Sequence, residues 1–156
     1  MVMGRIINFR ELCDKDKLAL QIFLNDLSKE TFNEWRRYSE NSVEKIYKEV
    51  SHKLIAISEE KIMAFGCLIP DNNYPDIPSL GIVVADEYRN IGMGSVMMNQ
   101  LEELAIKNCY KFIFLKTFKS NHHAYNLYKK MGYEVIDEIE HYGLPAYAMK
   151  KSLGEK

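Results

Sequence analysis

The alternation of helix-period and strand-type segments along these 156 residues predicts one domain of mixed α and β structure, in the order β-α-α-β-β-β-α-β-α-β-β. Three observations carry this. The alternation is continuous over residues 1–156, with no repeat, low-complexity tract or Gly/Ser-rich linker to divide it. The length suffices for one sizeable core and is short for two ordinary domains. Hydrophobic residues make up 47% and charged residues 28%, the balance of a chain that can bury a core.

Taken in order, the first strand is predicted at Arg5–Phe9, followed by a helix from about Asp14 whose Leu20, Phe23, Leu24 and Leu27 recur on one face. A second helical stretch falls between Ser28 and Val50 and holds Trp35 among charges. Lys53–Ser58 and Lys61–Ile69 are strand-type runs joined across Glu59-Glu60 as a hairpin. Turn residues crowd Pro70–Pro78, which predicts a surface loop. The apolar run in Ser79–Ala85 then suits a strand covered on both faces.

From Gly92 to Asn108 the pattern is helical, with Met97, Met98, Leu101, Leu104 and Ala105 on one face and Gln100, Glu103 and Lys107 on the other. Lys111–Thr117 reads as a strand, Asn121–Met131 as a helix ended by Gly132, and Tyr133–Ile139 with Ala146–Lys150 as the last two strands.

A formal charge of −1 provides no global field toward nucleic acid or an anionic membrane, and no basic stripe with interleaved aromatics is present. No apolar run approaches the roughly 18 residues that span a bilayer, and the start lacks a secretory apolar stretch, so a cytoplasmic location is expected. Cys13, Cys67 and Cys109 are widely spaced, and the histidines miss ligand spacing, so no metal site is expected and the cysteines read as reduced and structural.

The chemistry concentrates at Arg89-Asn90-Ile91-Gly92-Met93-Gly94, between an apolar strand and a helix start. A helix start presents unpaired N–H groups and partial positive charge, glycines allow close approach to that backbone, and an arginine adds a charge-assisted contact. These are the properties of a phosphate cradle. A Walker A loop is excluded because no Gly-Lys pair exists, and a dinucleotide fingerprint because position 97 is Met. Taken by themselves the six residues also suit a tight turn before a helix capped by Asn90, with a solvated Arg89.

The segment Val84-Ala85-Asp86-Glu87-Tyr88-Arg89-Asn90-Ile91-Gly92-Met93-Gly94 resembles the signature V-x-x-x-[YF]-[RQ]-x-x-G-x-[GA] of the Gcn5-related N-acetyltransferases, the GNAT family. Asn121-His-His-Ala-Tyr-Asn-Leu-Tyr128-Lys-Lys-Met-Gly132-Tyr133 resembles the family's second motif, N-x-x-A-x-x-[LF]-Y-x-x-x-G-[FY], in the right order. The likeness is specific from about Ser79 to Met149. It implies an α+β fold with a central, mixed and mostly antiparallel sheet flanked by helices, and an N-acetyltransferase domain using acetyl-CoA as co-substrate. It further implies that the Ile82-Val83-Val84 strand binds the pantetheine arm and thioester carbonyl through the amides of Ile82 and Val84. Arg89, Asn90, Ile91, Gly92, Met93, Gly94 and Ser95 would hold the pyrophosphate, and Asn121 and Tyr128 would also contact the coenzyme. Tyr128, with an ordinary pKa near 10, would protonate the departing thiolate as the general acid.

On a helix Asn121, Tyr125 and Tyr128 share a stripe beside the apolar Ala124, Leu127 and Met131. Many relatives carry a basic glutamate just before the central strand's apolar run, where this chain has Pro78 and Ser79. Candidates for that role are Asp76, a water held by strand carbonyls, and Glu34, Tyr38, His141 or Tyr142. The acceptor would be a small-molecule or peptide amine. Glu30, Glu34 and Glu40 near Trp35 and Tyr38 are compatible with a cationic one and equally with a solvated helix. Dimerisation is common in the family, which leaves room for a homodimer. The alternative is a catalytically silent coenzyme-A-binding regulatory domain of the same fold.

Overall fold

A polar hinge of Glu59-Glu60 between two apolar runs is where the architecture starts in the computed structural model, which describes residues 6–35, 42–50, 52–71 and 74–154. Both glutamates take left-handed backbone (φ 51° and 65°). That is the geometry of a two-residue turn whose twist matches the flanking strands. The turn joins strand β2 (His52–Ser58) to β3 (Lys61–Asp71), after β1 (Asn8–Glu11) and helices α1 (Lys17–Asp26), α2 (Lys29–Trp35) and α3 (Ser42–Glu49). Strand β4 (Tyr74–Val84), helix α4 (Met93–Lys107), β5 (Phe112–Phe118), α5 (His122–Lys130), β6 (Glu134–His141) and β7 (Leu144–Ser152) follow. The seven strands hydrogen-bond in the order β1-β2-β3-β4-β5-β7-β6, with β4 and β5 parallel and the other described registers antiparallel. This is the mixed, mostly antiparallel sheet expected from the sequence.

Two compact units divide the chain, residues 1–68 with 81–101 and residues 69–80 with 102–156. In the first, β1 pairs with β2 from Asn8↔Ile57 to Glu11↔Leu54, and β2 with β3 from His52↔Leu68 to Ser58↔Lys61. Every residue from Ile62 to Leu68 is buried, so β3 is covered on both faces. Helix α4 supplies Met97, Met98 and Leu101 to this core. A Cβ on Gly66 would lie 2.8 Å from Leu101 Cδ1 and 2.9 Å from Met97 Cγ, so only glycine lets the helix approach β3 this closely. Leu20, Phe23 and Leu24 of α1 are buried as the helical period predicts, with Leu27 half-buried at the helix end.

The start of α1 is tied by charge. Asp16 ends a 3₁₀ turn, Asp14–Asp16, and accepts a two-pronged contact from Arg10, Nη1 to Oδ2 at 2.8 Å and Nη2 to Oδ1 at 3.0 Å. The Cys13 N–H donates to the same carboxylate at 2.9 Å. Tyr47 of α3 donates its hydroxyl to the Cys13 carbonyl at 2.6 Å, and burial together with the Asp16 charge pushes its pKa up to about 12.

In the second unit, β5 pairs with β7 from Phe112↔Ser152 to Phe118↔Ala146, and β6 with β7 from Glu134↔Lys150 to His141↔Leu144. Tyr142 and Gly143 (φ 52° and 78°) close that hairpin with the same turn geometry as Glu59-Glu60. Ile113, Phe114, Leu115, Ala146, Ala148 and Met149 are buried. The Tyr133 hydroxyl donates to Glu102 Oε2 at 2.8 Å, and Lys151 Nζ donates to Glu102 Oε1 at 2.9 Å, so a buried carboxylate in α4 is matched by a donor on each oxygen. Burial first, then the Glu102 charge, holds the Tyr133 hydroxyl far above the usual phenol range.

Four expectations are corrected. Pro70–Pro78 is not a loop: β3 runs to Asp71 and β4 begins at Tyr74. Proline's fixed φ is compatible with extended backbone, and its cost in a strand is a missing donor rather than a wrong shape. Two helices, α2 and α3, occupy the stretch read as one between Ser28 and Val50, so the order gains an element there. The first strand is displaced to Asn8–Glu11, with Arg5 outside the described residues, because pairing with β2 and not local pattern sets its ends. Cys13 and Cys109 are exposed, and only Cys67 packs in the core.

Asp16 also predicts a pH dependence. Its carboxyl lies well below the usual range, chiefly because Arg10 donates to the charged form. Its contribution is therefore present above the unfolded carboxylate pKa of about 3.9 and is lost as pH falls below it. Asp16→Asn should cost roughly 1–3 kcal/mol at pH 7. The gap between variant and wild type in urea midpoint should narrow on going from pH 6 to pH 3; a constant gap contradicts the assignment.

Candidate active site

Strand β4 delivers the first group of residues. Ile82 and Val84 are half-buried on one face, while Val83 turns into the core at 4% exposure. The strand's end is held where the Ala85 N–H donates to the Met63 carbonyl at 2.9 Å. A 3₁₀ turn, Asp86–Tyr88, follows and buries Tyr88, after which Arg89 returns to extended backbone (φ −77°, ψ 157°).

The loop then reverses through Asn90 (φ 65°) and Gly92 (φ 87°), both left-handed. Gly92 accepts the first helical hydrogen bond, from the Val96 N–H at 3.2 Å, which makes it the residue flanking the start of α4. The N–H groups of Met93, Gly94 and Ser95 thus occupy the first turn, where no carbonyl of the helix precedes them. Open space surrounds the position a Cβ on Gly92 would take, so glycine is required there by backbone conformation and not by crowding. The helix begins one residue later than its apolar pattern suggests. Asn90 does not cap it but supplies one of the two left-handed turns.

Aspartate 86 joins this loop to α2. Its carboxylate accepts from the Ser28 N–H at 2.8 Å, from the Ser28 hydroxyl at 3.3 Å and from the Thr31 hydroxyl. The Thr31 N–H in turn donates to Ser28 Oγ at 3.1 Å, the bond that caps a helix start. Arg89 Nη1 donates to Thr31 Oγ1 at 3.1 Å. The Thr31 hydrogen bond, then the Ser28 donors and the Arg89 charge, lower the Asp86 pKa. The motif reading missed this network. The signal available was Ser28 three residues before Thr31, a helix-start pattern.

Asn121 and Tyr128 belong to the second unit, two helical turns apart on α5. Asn121 flanks the helix start and its Oδ1 accepts from the Ala124 N–H at 3.1 Å. Tyr128 is half-buried, its ring centroid 6.1 Å from that of Tyr133, and its carbonyl accepts from the Tyr133 N–H at 3.0 Å. Gly132 (φ 101°) ends the helix as the sequence predicts. The buried Tyr133–Glu102–Lys151 group thereby anchors the segment carrying Tyr128. Glu102 was not singled out from the sequence, because neither its own position nor the helical period distinguishes a buried carboxylate from an exposed one.

The base candidates that the structure describes lie on β4 (Asp76), at the end of β6 (His141) and in the turn after it (Tyr142). Asp76 is exposed on β4, and Ser79 is buried there at 2% exposure with no hydrogen-bond partner for its hydroxyl among the described residues. His141 packs against Phe118 and Tyr142, with ring centroids 5.3 and 4.5 Å away. Tyr38 and Glu40 lie outside the described residues, as do the side chains of Glu34 and Trp35; Glu30 is exposed. Among the described residues, no helix is long and apolar enough to cross a membrane.

Replacement of Gly92 by Ala should lower stability by about 1–2 kcal/mol, the cost of a left-handed non-glycine residue, with an unchanged denaturant slope. A shift in midpoint below a quarter of that would mean the turn is not held in this conformation.

The chain's likeness to other proteins agrees with this arrangement. The model of the acetyltransferase (GNAT) family matches residues 20–133. An N-alpha-acetyltransferase of Sulfurisphaera tokodaii is 32% identical over 94 residues, covering 53% of this chain and 56% of that protein. The chain thus spans little more than half the length of this curated relative. Among solved structures, an acetyltransferase of the GNAT family from Streptococcus pneumoniae is 25% identical with a TM-score of 0.79, covering 96% of this chain and 100% of the other. The ribosomal-protein-S18-alanine N-acetyltransferase from Escherichia coli, 18% identical, has the same fold with a TM-score of 0.78 over 97% and 96% of the two chains. With a family match across most of its length, over a backbone shared with solved members, the chain belongs to the GNAT acetyltransferase family.

Proposed function

We propose that residues 1–156 act as one N-acetyltransferase domain that moves the acetyl group of acetyl-CoA directly to a primary amine. The observation that carries this is the start of α4, where Gly92 in left-handed backbone opens a helix whose first N–H groups suit a diphosphate. In this reading Arg89, Asn90, Ile91, Gly92, Met93, Gly94 and Ser95 hold the pyrophosphate, with Arg89 adding charge. The backbone of Ile82, Val83 and Val84 takes the pantetheine arm and the thioester carbonyl. With Oδ1 engaged in capping, Asn121 would offer its amide nitrogen to the arm.

The amine nitrogen attacks the thioester carbon, the tetrahedral intermediate collapses, and the C–S bond breaks. Tyr128 gives its hydroxyl proton to the leaving thiolate; the amine loses one proton to solvent as the amide forms, and the Tyr128 phenolate takes one back from solvent, restoring the hydroxyl. A lysine-like amine costs about 4.6 kcal/mol to deprotonate at pH 7, whereas an α-amine of pKa near 7.8 costs only about 1 kcal/mol. Since Pro78 and Ser79 stand where a carboxylate base would be expected, the smaller demand favours an α-amine acceptor. The name of the S. tokodaii relative, an N-alpha-acetyltransferase, supports a peptide or protein N-terminus as that acceptor.

Acetyl-CoA at a hundred times its dissociation constant should stabilise the chain by about 2.7 kcal/mol, visible as a raised Tm; an unmoved Tm removes the coenzyme reading. On a panel of N-terminal peptides, polyamines and aminoglycosides, thiol release should be fastest with free α-amines. Tyr128→Phe should lower kcat by roughly 100-fold or more while leaving coenzyme affinity in place. Full turnover with an unaltered pH profile removes Tyr128 as the acid, and coenzyme binding without thiol release on any amine identifies a silent binding domain.

A further inference from the structure

We infer that the free edge of β1, with the flank of α1 beside it, binds a second copy of this chain about a two-fold axis, so that the sheet continues from one copy into the other. The two most exposed large apolar side chains among the described residues are Ile6, at 78%, and Leu18, at 72%. Both belong to the first unit. Ile6 lies two residues before β1, and Leu18 stands about one helical turn before Ile22 of α1, itself 48% exposed. Between α1 and β1 runs a groove of about 540 Å³ lined by Leu18, Ile22 and Ile57, with Asn8 and Arg10 along its side. Single exposed apolar residues are ordinary, but three gathered beside an unpaired strand edge mark an interaction surface.

The chemistry of the two sheet edges says what the partner is. The other edge, β6, carries Glu134, Asp137, Glu138 and Glu140 within eight residues. Pairing β6 with its own copy in a central register would set carboxylate against carboxylate, the usual protection of an edge strand. No such guard stands on β1. Directly opposed residues of antiparallel strands share a face, so a two-fold axis must pass beside a residue that meets its own copy. Centred on Phe9, the pairing sets Phe9 against Phe9 of the second copy and Asn8 against its Arg10, with no like charges opposed. Centred on Arg10, it would oppose two guanidinium groups. The ends of the two grooves complement each other in the same antiparallel sense. Lys15 lines the groove toward the C-terminal end of β1, and Glu60 lines it toward the N-terminal end, where Asn8 pairs with Ile57 just before the hairpin turn. A second copy running the other way brings its Glu60 toward Lys15 and its Ile6 toward Leu18, so one partner covers both the charge and the apolar surface.

Sedimentation equilibrium of the full chain tests this without coenzyme or acceptor, so its failure leaves the coenzyme reading standing. A monomer–dimer equilibrium is expected, and Leu18→Glu and Ile6→Glu should each raise its dissociation constant by roughly 10-fold or more. At low salt Lys15→Glu and Glu60→Lys should each weaken the dimer by about twofold to fivefold, the effect of an exposed ion pair, and the double variant should recover wild-type affinity. Amide exchange in peptides covering residues 6–11 should slow with rising protein concentration, while exchange across β6 stays constant. A monomer at every concentration up to about 0.1 mM overturns the proposal. A dimer that withstands both Leu18→Glu and Ile6→Glu, or whose concentration-dependent protection falls on β6, overturns it equally. A double charge variant no tighter than the single ones overturns the antiparallel register. Equal Tm of Leu18→Glu and wild type, at a dilution where both are monomeric, separates a lost interface from a lost fold.

Discussion

Close contact of α4 with β3 is the constraint on which the first unit depends. A helix carrying Met97 and Leu101 can settle on a fully buried strand only where the strand presents no side chain, and Gly66 is that place. The consequence is felt at the other end of the same helix. Once Met97, Met98 and Leu101 are seated, the first turn at Met93 is fixed, and the chain arriving from β4 must turn sharply to meet it. The two left-handed residues, Asn90 and Gly92, make that turn. Their backbone cost is of the kind that persists only where packing on either side determines it.

Three carboxylates follow a similar logic of pairing. Asp16 takes Arg10 and a backbone N–H at the start of α1, Asp86 takes the start of α2, and Glu102 takes Tyr133 and Lys151. Asp86 and Glu102 join segments far apart in sequence, Asp16 ties the end of β1 to the start of α1, and each carboxylate receives more than one donor. Asp16 and Glu102 sit where an unpaired charge would be severely destabilising, so their worth lies less in net stability than in specifying which segments meet. Asp86, which is exposed, gives specificity of the same kind at lower cost.

Transfer to the proposed α-amine asks little of a base. Neither Pro78 nor Ser79 can take a proton from an ammonium at neutral pH, and the two histidines on α5 are exposed. In the proposed reaction an acceptor that is already largely neutral lowers the demand on a base. Tyr128, the acid of that proposal, sits on a helix anchored through a buried neighbour, Tyr133.

Elements governed by local physics were legible in the letters: the Glu59-Glu60 hairpin, the apolar stripe of α4, the Gly132 stop of α5, and the glycine loop at a helix start. Each depends on backbone preference or on a period within one segment. The ends of β1, the strand through Pro75 and Pro78, and the division of the stretch before β2 into two helices were decided by partners elsewhere. A β-strand is completed by hydrogen bonds to another segment, and α2 is held by a carboxylate more than fifty positions away. By itself the sequence determined the glycine loop at a helix start, the order of its motifs and the periodic cores, because those reside in short-range spacing. Only the tertiary structure decided that Asp86 and Arg89 grip the start of α2 and that Glu102 is buried against Tyr133 and Lys151, because charge burial and long-range pairing have no period to read.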